Sequence, residues 1–130
     1  MTIEYGLVNR LKNDGTVAGI VAARIYPHRL PQMPTFPAIT YSRVSGARVD
    51  ILKGISGLAK PTFQFDLWTE SYNTVKSLAD AVRESLNGYQ GTLDGETAYR
   101  VKILNEVDNF EEELGVYRVI QDFEVFHRET

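Results

Sequence analysis

Residues 62–68, TFQFDLW, alternate strictly: Phe63, Phe65 and Leu67 fall on one side and Thr62, Gln64 and Asp66 on the other, the period of a strand with one buried face. Residues 37–44 alternate in the same sense, Ile39 and Tyr41 against Thr40 and Ser42. Over 98–107 the pattern predicts Tyr99, Val101, Ile103 and Val107 inward and Arg100, Lys102 and Glu106 outward. Just ahead of it, Asp94-Gly95 predicts a two-residue hairpin turn whose central residues need positive φ. A last strand over 116–127 sets Tyr117, Val119, Phe123 and Val125 against a core and leaves Arg118, Asp122 and Glu124 in water.

Helical spacing replaces this period at two places. Ile3, Leu7, Val8 and Leu11 make one stripe, capped by Thr2 and closed by Asn13-Asp14-Gly15. Val75, Leu78, Ala79, Val82 and Leu86 make the better one, starting at Ser71 or Asn73 and ending at Asn87-Gly88. A short helical turn fits over 16–21, before Arg24-Ile25-Tyr26 extends into Pro27, Pro31, Pro34 and Pro37, which exclude helix. Together these elements predict one α+β domain over residues 1–130, a mostly antiparallel sheet with two main helices on one face.

Between the strands at 37–44 and 62–68 lies a stretch far longer than a hairpin needs. Residues 45–59 hold three glycines beside Val49, Ile51, Leu52 and Ile55. The reading is a mobile excursion, centred on about 46–58, whose apolar side chains want a partner.

At 130 residues the chain has the length of one ordinary domain. Fourteen Lys and Arg against seventeen Asp and Glu give a formal charge of −3, spread along the chain, so no polyanionic partner is demanded. The absence of cysteine removes disulfides, thiolate metal sites and cysteine nucleophiles, and fits a reducing compartment. Glu4 comes early, and no apolar run suits a signal peptide or a membrane span of roughly twenty residues, so neither secretion by that route nor membrane insertion is expected.

Candidate chemistry is sparse. Gly54-Ile55-Ser56-Gly57 would need glycine at Leu58 to be a nucleophile elbow, and Ala59 stands where a phosphate loop needs glycine before Lys60. His28 and His127 have no second nitrogen ligand at useful spacing. Asp108, Glu111, Glu112 and Glu113 are the densest acids, yet they lack the calcium-loop pattern and read as a solvated loop. Asp66, Asp122 and Glu124 read as ordinary outward residues. Arg43, Arg48, Lys53 and Lys60 form a loosely basic neighbourhood interrupted by Asp50, with no aromatic series for base stacking, so a charged protein interface is the reading. No enzyme, metal or cofactor is expected. Trp68 falls on the polar side of its strand, and two explanations stand: a subunit contact, or cover under the start of the second helix.

Ile25-Tyr26-Pro27, Arg29-Leu30-Pro31-Gln32, Pro37-Ala38-Ile39-Thr40-Tyr41 and Val44-Ser45-Gly46 occur in the order seen in the tail-completion family of long-tailed bacteriophages. Ser56-Gly57-Leu58-Ala59, Asp66-Leu67-Trp68, Ala79-Asp80-Ala81-Val82-Arg83, Gly115-Val116-Tyr117-Arg118 and Phe126-His127-Arg128-Glu129 continue the match, and the whole chain resembles that family end to end. The resemblance implies a structural virion protein: a hexameric ring that caps the head-proximal end of the tail tube, joins it to the head connector or stopper, and lets genomic DNA pass without sequence-specific contact. It implies assembly in the host cytoplasm and carries over no catalytic residue. The expected ring contacts are Arg48, Asp50, Leu52, Lys53, Ile55 and Leu58 of the excursion against a neighbour's strand edge or its Glu111, Glu112 and Glu113, with Trp68 as a further anchor. The rival readings are an adjacent connector component, stopper or adaptor, and, from another class, a small ligand-binding domain or enzyme using a cleft near His28 and Arg29.

Overall fold

The computed structural model describes residues 3–51 and 54–128, with the backbone alone for 47–51 and 54–57. In chain order the elements are α1 (Ile3–Lys12), α2 (Gly15–Val21), β1 (Ile25–Pro27), β2 (Ala38–Ile51), β3 (Gly54–Thr69), α3 (Tyr72–Leu86), β4 (Gly91–Leu93), β5 (Glu96–Glu111) and β6 (Val116–Arg128). Among the described residues the strands form one sheet in the order β1-β2-β3-β6-β5-β4. Every neighbouring pair is antiparallel except β1 on β2.

Local chemistry sets the ends of the elements. Asp14 caps α2, its Oδ1 accepting from the Thr16 and Val17 amides at 3.0 and 3.1 Å. Ser71 caps α3 through the Thr74 amide, and Gly88, at φ +82°, ends it. Asp94 and Gly95, at φ 50° and 83°, make the β4–β5 hairpin turn that their dipeptide predicts. The Thr2 cap expected for α1 lies outside the described residues.

One face of the sheet carries all three helices. Phe63, Phe65 and Leu67 from β3 and Phe123 from β6 are fully buried there beneath Leu7, Leu11 and Leu78. Phe65 and Phe123 meet edge to face with centroids 5.8 Å apart, a contact that adds to the area they bury. Gln121 shares this face at 0% exposure, and its Nε2 donates to the Ala79 carbonyl and to Glu106 Oε1, tying β6 to α3 and β5.

Two expectations change. Residues 45–59 do not form an open loop: β2 and β3 keep pairing through Gly46↔Pro61 and Arg48↔Ala59 to Ile51↔Gly54. Glycine lowers strand propensity, but a facing strand in register supplies the ladder that propensity does not. Pairing of β3 with β6 runs to Leu58↔Arg128, and beyond that point, among the described residues, the arm pairs only with itself.

The second change is in β5, where the ladder shifts between Ala98 and Arg100 and again between Ile103 and Asn105. Each bulge inserts one residue and so reverses which face the following side chains take. Tyr99, expected inward, is exposed on the outer face beside Phe126, and Val107, expected beside Ile103, is 42% exposed. Glu106 and Asp108 turn to the helix side instead, where Lys76 and Arg83 of α3 meet them.

Gly6 is where α1 comes closest to the sheet's edge: a Cβ there would lie 2.6 Å from Leu93 Cβ and 2.7 Å from its carbonyl carbon. Gly6→Ala is expected to lower stability by about 1–3 kcal/mol, as overpacking does. Gly19→Ala in α2, which has open space around it, is expected to be neutral or to stabilise by up to about 1 kcal/mol. Urea unfolding of the two variants checks the contrast.

Candidate assembly surfaces

The register fixes which parts of the molecule share an end. Ala38 pairs with Trp68, Trp68 with Arg118 and Arg118 with Asn109, so these residues lie together beside the β5–β6 turn at 112–115. The β2–β3 arm leaves from the opposite end, past Leu58 and Arg128. Two hairpins thus project from opposite ends of one sheet.

Of the residues expected at ring contacts, Leu52 and Lys53 lie outside the described residues, as do the side chains of Arg48, Asp50 and Ile55. The backbone of Arg48, Asp50 and Ile55 belongs to the arm, and half-buried Leu58 stands at its base. Glu112 and Glu113 are exposed in the turn at the far end. Glu111 closes β5, and its Oε1 accepts from Arg118 Nη1 at 2.9 Å.

Trp68 sits on the face away from the helices, which removes the explanation that it lies under the start of α3. Its Nε1 donates to Thr40 Oγ1 at 3.0 Å, and the Arg118 guanidinium stacks 4.7 Å from its ring centroid. Arg118 also donates to Asp66 Oδ2 at 2.6 Å. The structure therefore joins two expected residues, Trp68 and Glu111, through Arg118, a residue the alternation had assigned to water.

Asp66 is 9% exposed, not solvent-facing as expected, because Trp68, Arg118 and Gln64, whose Nε2 donates to its Oδ1, enclose it. Burial alone would lower the Arg118 pKa; the hydrogen bonds to Glu111 and Asp66 outweigh it and raise the value. Asp122, on the same face, is pushed above its ordinary value by burial and by the charge of Asp66. A side chain on the polar phase of a strand can be covered by its long neighbours, which period-two reasoning does not register.

At the β5–β6 end, Tyr117 stacks between Tyr72 at 5.5 Å and Phe110 at 4.9 Å. Tyr72, Phe110 and Leu114 keep about half their surface in water, so an apolar patch adjoins Glu112 and Glu113. Phe110 was visible in the sequence inside the acidic stretch, but nothing local linked it to Tyr72, which comes from α3.

His28 borders a shallow cleft with Glu4, Tyr41 and Arg43, where Arg43 pairs with Glu4 at 3.6 Å. Among the described residues, no group of three or more His, Asp and Glu side chains could hold a metal ion, and no helix is long and apolar enough to cross a membrane.

A family model described as "Tail completion protein gp17" matches residues 6–128. The fold is similar to that of a chain in a solved structure titled "Virion of native gene transfer agent (GTA) particle", with a TM-score of 0.80 and 18% identity over 94% of this chain and 91% of that one. No curated protein matches the sequence.

Arg118→Leu would strand the Asp66 carboxylate. With 24% of the Arg118 side chain exposed, the expected loss is about 2–4 kcal/mol, below the roughly 3–5 of a fully buried pair; adding Asp66→Asn should recover part of it in a double-mutant cycle. The raised Asp122 value has the opposite sign for stability. Its favourable contribution is complete below the unfolded value near 3.8 and is lost as pH rises through the folded value. Asp122→Asn is therefore expected to raise the melting temperature at pH 7 and to give no advantage at pH 3, checked by thermal unfolding across that range.

Proposed function

The chain belongs to the tail completion protein gp17 family, structural proteins of the bacteriophage tail, and from this we propose that it closes the head-proximal end of the tail tube as a ring and joins the tail to the head. The ring is hexameric in this reading. Its partners are further copies of the chain, the tail tube protein on one side and the head connector or stopper on the other, with genomic DNA passing through the middle. Assembly takes place in the host cytoplasm, and the role is structural, not enzymatic.

The observation that carries the reading is the pair of unlike hairpins at opposite ends of one sheet. A closed ring needs two different, complementary surfaces on each subunit. The β2–β3 arm and its base bring Arg43, Arg48, Lys53 and Lys60 against the single acid Asp50, whereas the β5–β6 end brings Glu111, Glu112 and Glu113. Opposite sign at the two places favours head-to-tail contact and disfavours like-to-like contact.

The arm supplies a second argument. Past Leu58, among the described residues, it pairs only with itself, and a lone two-stranded hairpin is marginal in water. Residues 47–58 would then gain their protection from a neighbouring subunit, whose contacts offset an ordering entropy of about 1–2 kcal/mol per residue.

Electron microscopy of particles made without this protein tests the function. Full heads beside detached tails of irregular or excessive length are expected; tails of normal length that only fail to attach would move the protein to the neighbouring connector layer. Hydrogen exchange over 47–58 should slow when subunits assemble, and equal rates in both states would remove the arm from the interface. Glu112→Lys is expected to weaken assembly about tenfold, read by native mass spectrometry over a dilution series, in line with one rim charge pair.

A further inference from the structure

The sheet has two unfinished edges. β4 covers only Glu96–Ala98 of β5, after which residues 87–89 take over: Gly88 donates to the Val101 carbonyl, Val101 to the Tyr89 carbonyl, and Ile103 to Asn87 Oδ1. From Leu104 to Glu111 no strand lies beside β5 on that side among the described residues. On the other edge β1 covers only Ile39–Tyr41 of β2, and β2 continues to Ile51 with no further strand on that side among the described residues.

The backbone direction on β5 follows from the ladder. Val101 and Ile103 send their amides outward to 87–89, and alternation continued through the bulge turns Glu106, Asp108 and Phe110 outward, while Asn105, Val107 and Asn109 face β6. Leu104, Val107 and Phe110 are 47%, 42% and 50% exposed. A long, exposed edge with apolar side chains is a template for another strand, and monomeric proteins ordinarily blunt it.

Resting on the reading that copies of this chain form a ring, we infer that the β5 edge of one copy, around Glu106–Phe110, takes the β2 edge of the next as an added strand, making one continuous sheet around the ring.

Three features select β2 of a second copy as the occupant. Neighbouring strands β2, β3, β6 and β5 are all antiparallel, so β2 and β5 run in opposite senses. A neighbour that keeps its helices on the same side therefore meets β5 antiparallel, the more stable ladder. The charges also match: residues 104–111 contain Glu106, Asp108 and Glu111 and no base, and residues 42–49 contain Arg43 and Arg48 and no acid.

The third is geometric. Asp108 is level with Ile39 through Val119 and Leu67. Directly opposite residues share a face, so Asp108, on the helix side like Ile39, is set opposite Gly46 of the neighbour. This shifts the copies by six strand residues once bulged Val44 is discounted, about 20 Å at ~3.3 Å each. Four strand spacings, about 19 Å at ~4.8 Å each, separate one β2 from the next. The strands would then incline at about 46°, at the upper end of the roughly 35–45° that closed sheets adopt. The stagger also leaves room for β1 and β4, which occupy the remaining halves of the two edges.

Residue-resolved hydrogen exchange on the full chain, as monomer and as assembled ring, tests the inference. The amides of Glu106, Asp108 and Phe110 should exchange at least about a hundredfold more slowly in the ring, and those of Val107 and Asn109, bonded to β6, should be protected in both forms. Asp108→Pro, which removes only an outward amide, should abolish ring formation while Asp108→Ala, which loses the same side-chain contact to Lys76, still assembles. Wild-type rings with unchanged exchange at 106, 108 and 110 would overturn the edge pairing and leave the ring standing. Protection of those amides in a two-copy species would seat β5 on β5 and also overturn it. A wild-type chain that stays monomeric at high concentration would remove the ring reading itself, and the edge pairing with it.

Discussion

The burial of one face of the β2-β3-β6-β5 ladder under three helices is the constraint from which the other features follow. Phe63, Phe65, Leu67 and Phe123 lose all or nearly all contact with water there. Because side chains alternate with period two, fixing these residues inward fixes every neighbour on β3 and β6 outward. No slip of register is tolerated in the middle of the sheet, so irregularities are displaced to its margins. Beside the core the bulges lie in β2 and β5, the strands on either side of the β3–β6 centre, and the one shift that falls in β3, at residues 56–57, is out in the arm.

Those marginal bulges give the molecule its surface chemistry. The one after Ile103 delivers Glu106 and Asp108 to Lys76 and Arg83 and turns Val107 out. On the uncovered face, Asp66, Trp68, Thr40, Arg118 and Glu111 form a connected polar network. Such a network holds β2, β3, β5 and β6 together across a face that has no helix to cover it. It also stiffens the end of the sheet from which the acidic turn projects.

The fold of this tail-completion family member divides into two parts. The centre is rigid and closed by packing; the ends and edges carry hairpins, half-exposed aromatics and incompletely covered strands. The match to the family runs over residues 6–128 and so takes in both parts.

Much of the fold was legible from the residues alone. The stripes on α1 and α3, the Asp94-Gly95 turn, the alternation of β3 and the ordered run of family segments are local signals, each carried by neighbours within one or two turns or a few strand positions. What sequence misjudged depended on residues distant along the chain. Gly46, Gly54 and Gly57 suggested a loop because propensity counts only the local backbone, whereas the facing strand supplied the hydrogen bonds. Tyr99 and Val107 were put inward because a bulge is a relation between two strands and leaves no mark in either one. Asp66 and Arg118 looked solvated, being polar residues on a polar phase, until folding brought positions 52 residues apart within 2.6 Å. The sequence determined which segments become helix and strand and which face of β3 is apolar; tertiary structure decided the parity of β5, the burial of the polar network and which edges stay open, since each of these requires knowing what lies on the far side of a hydrogen bond.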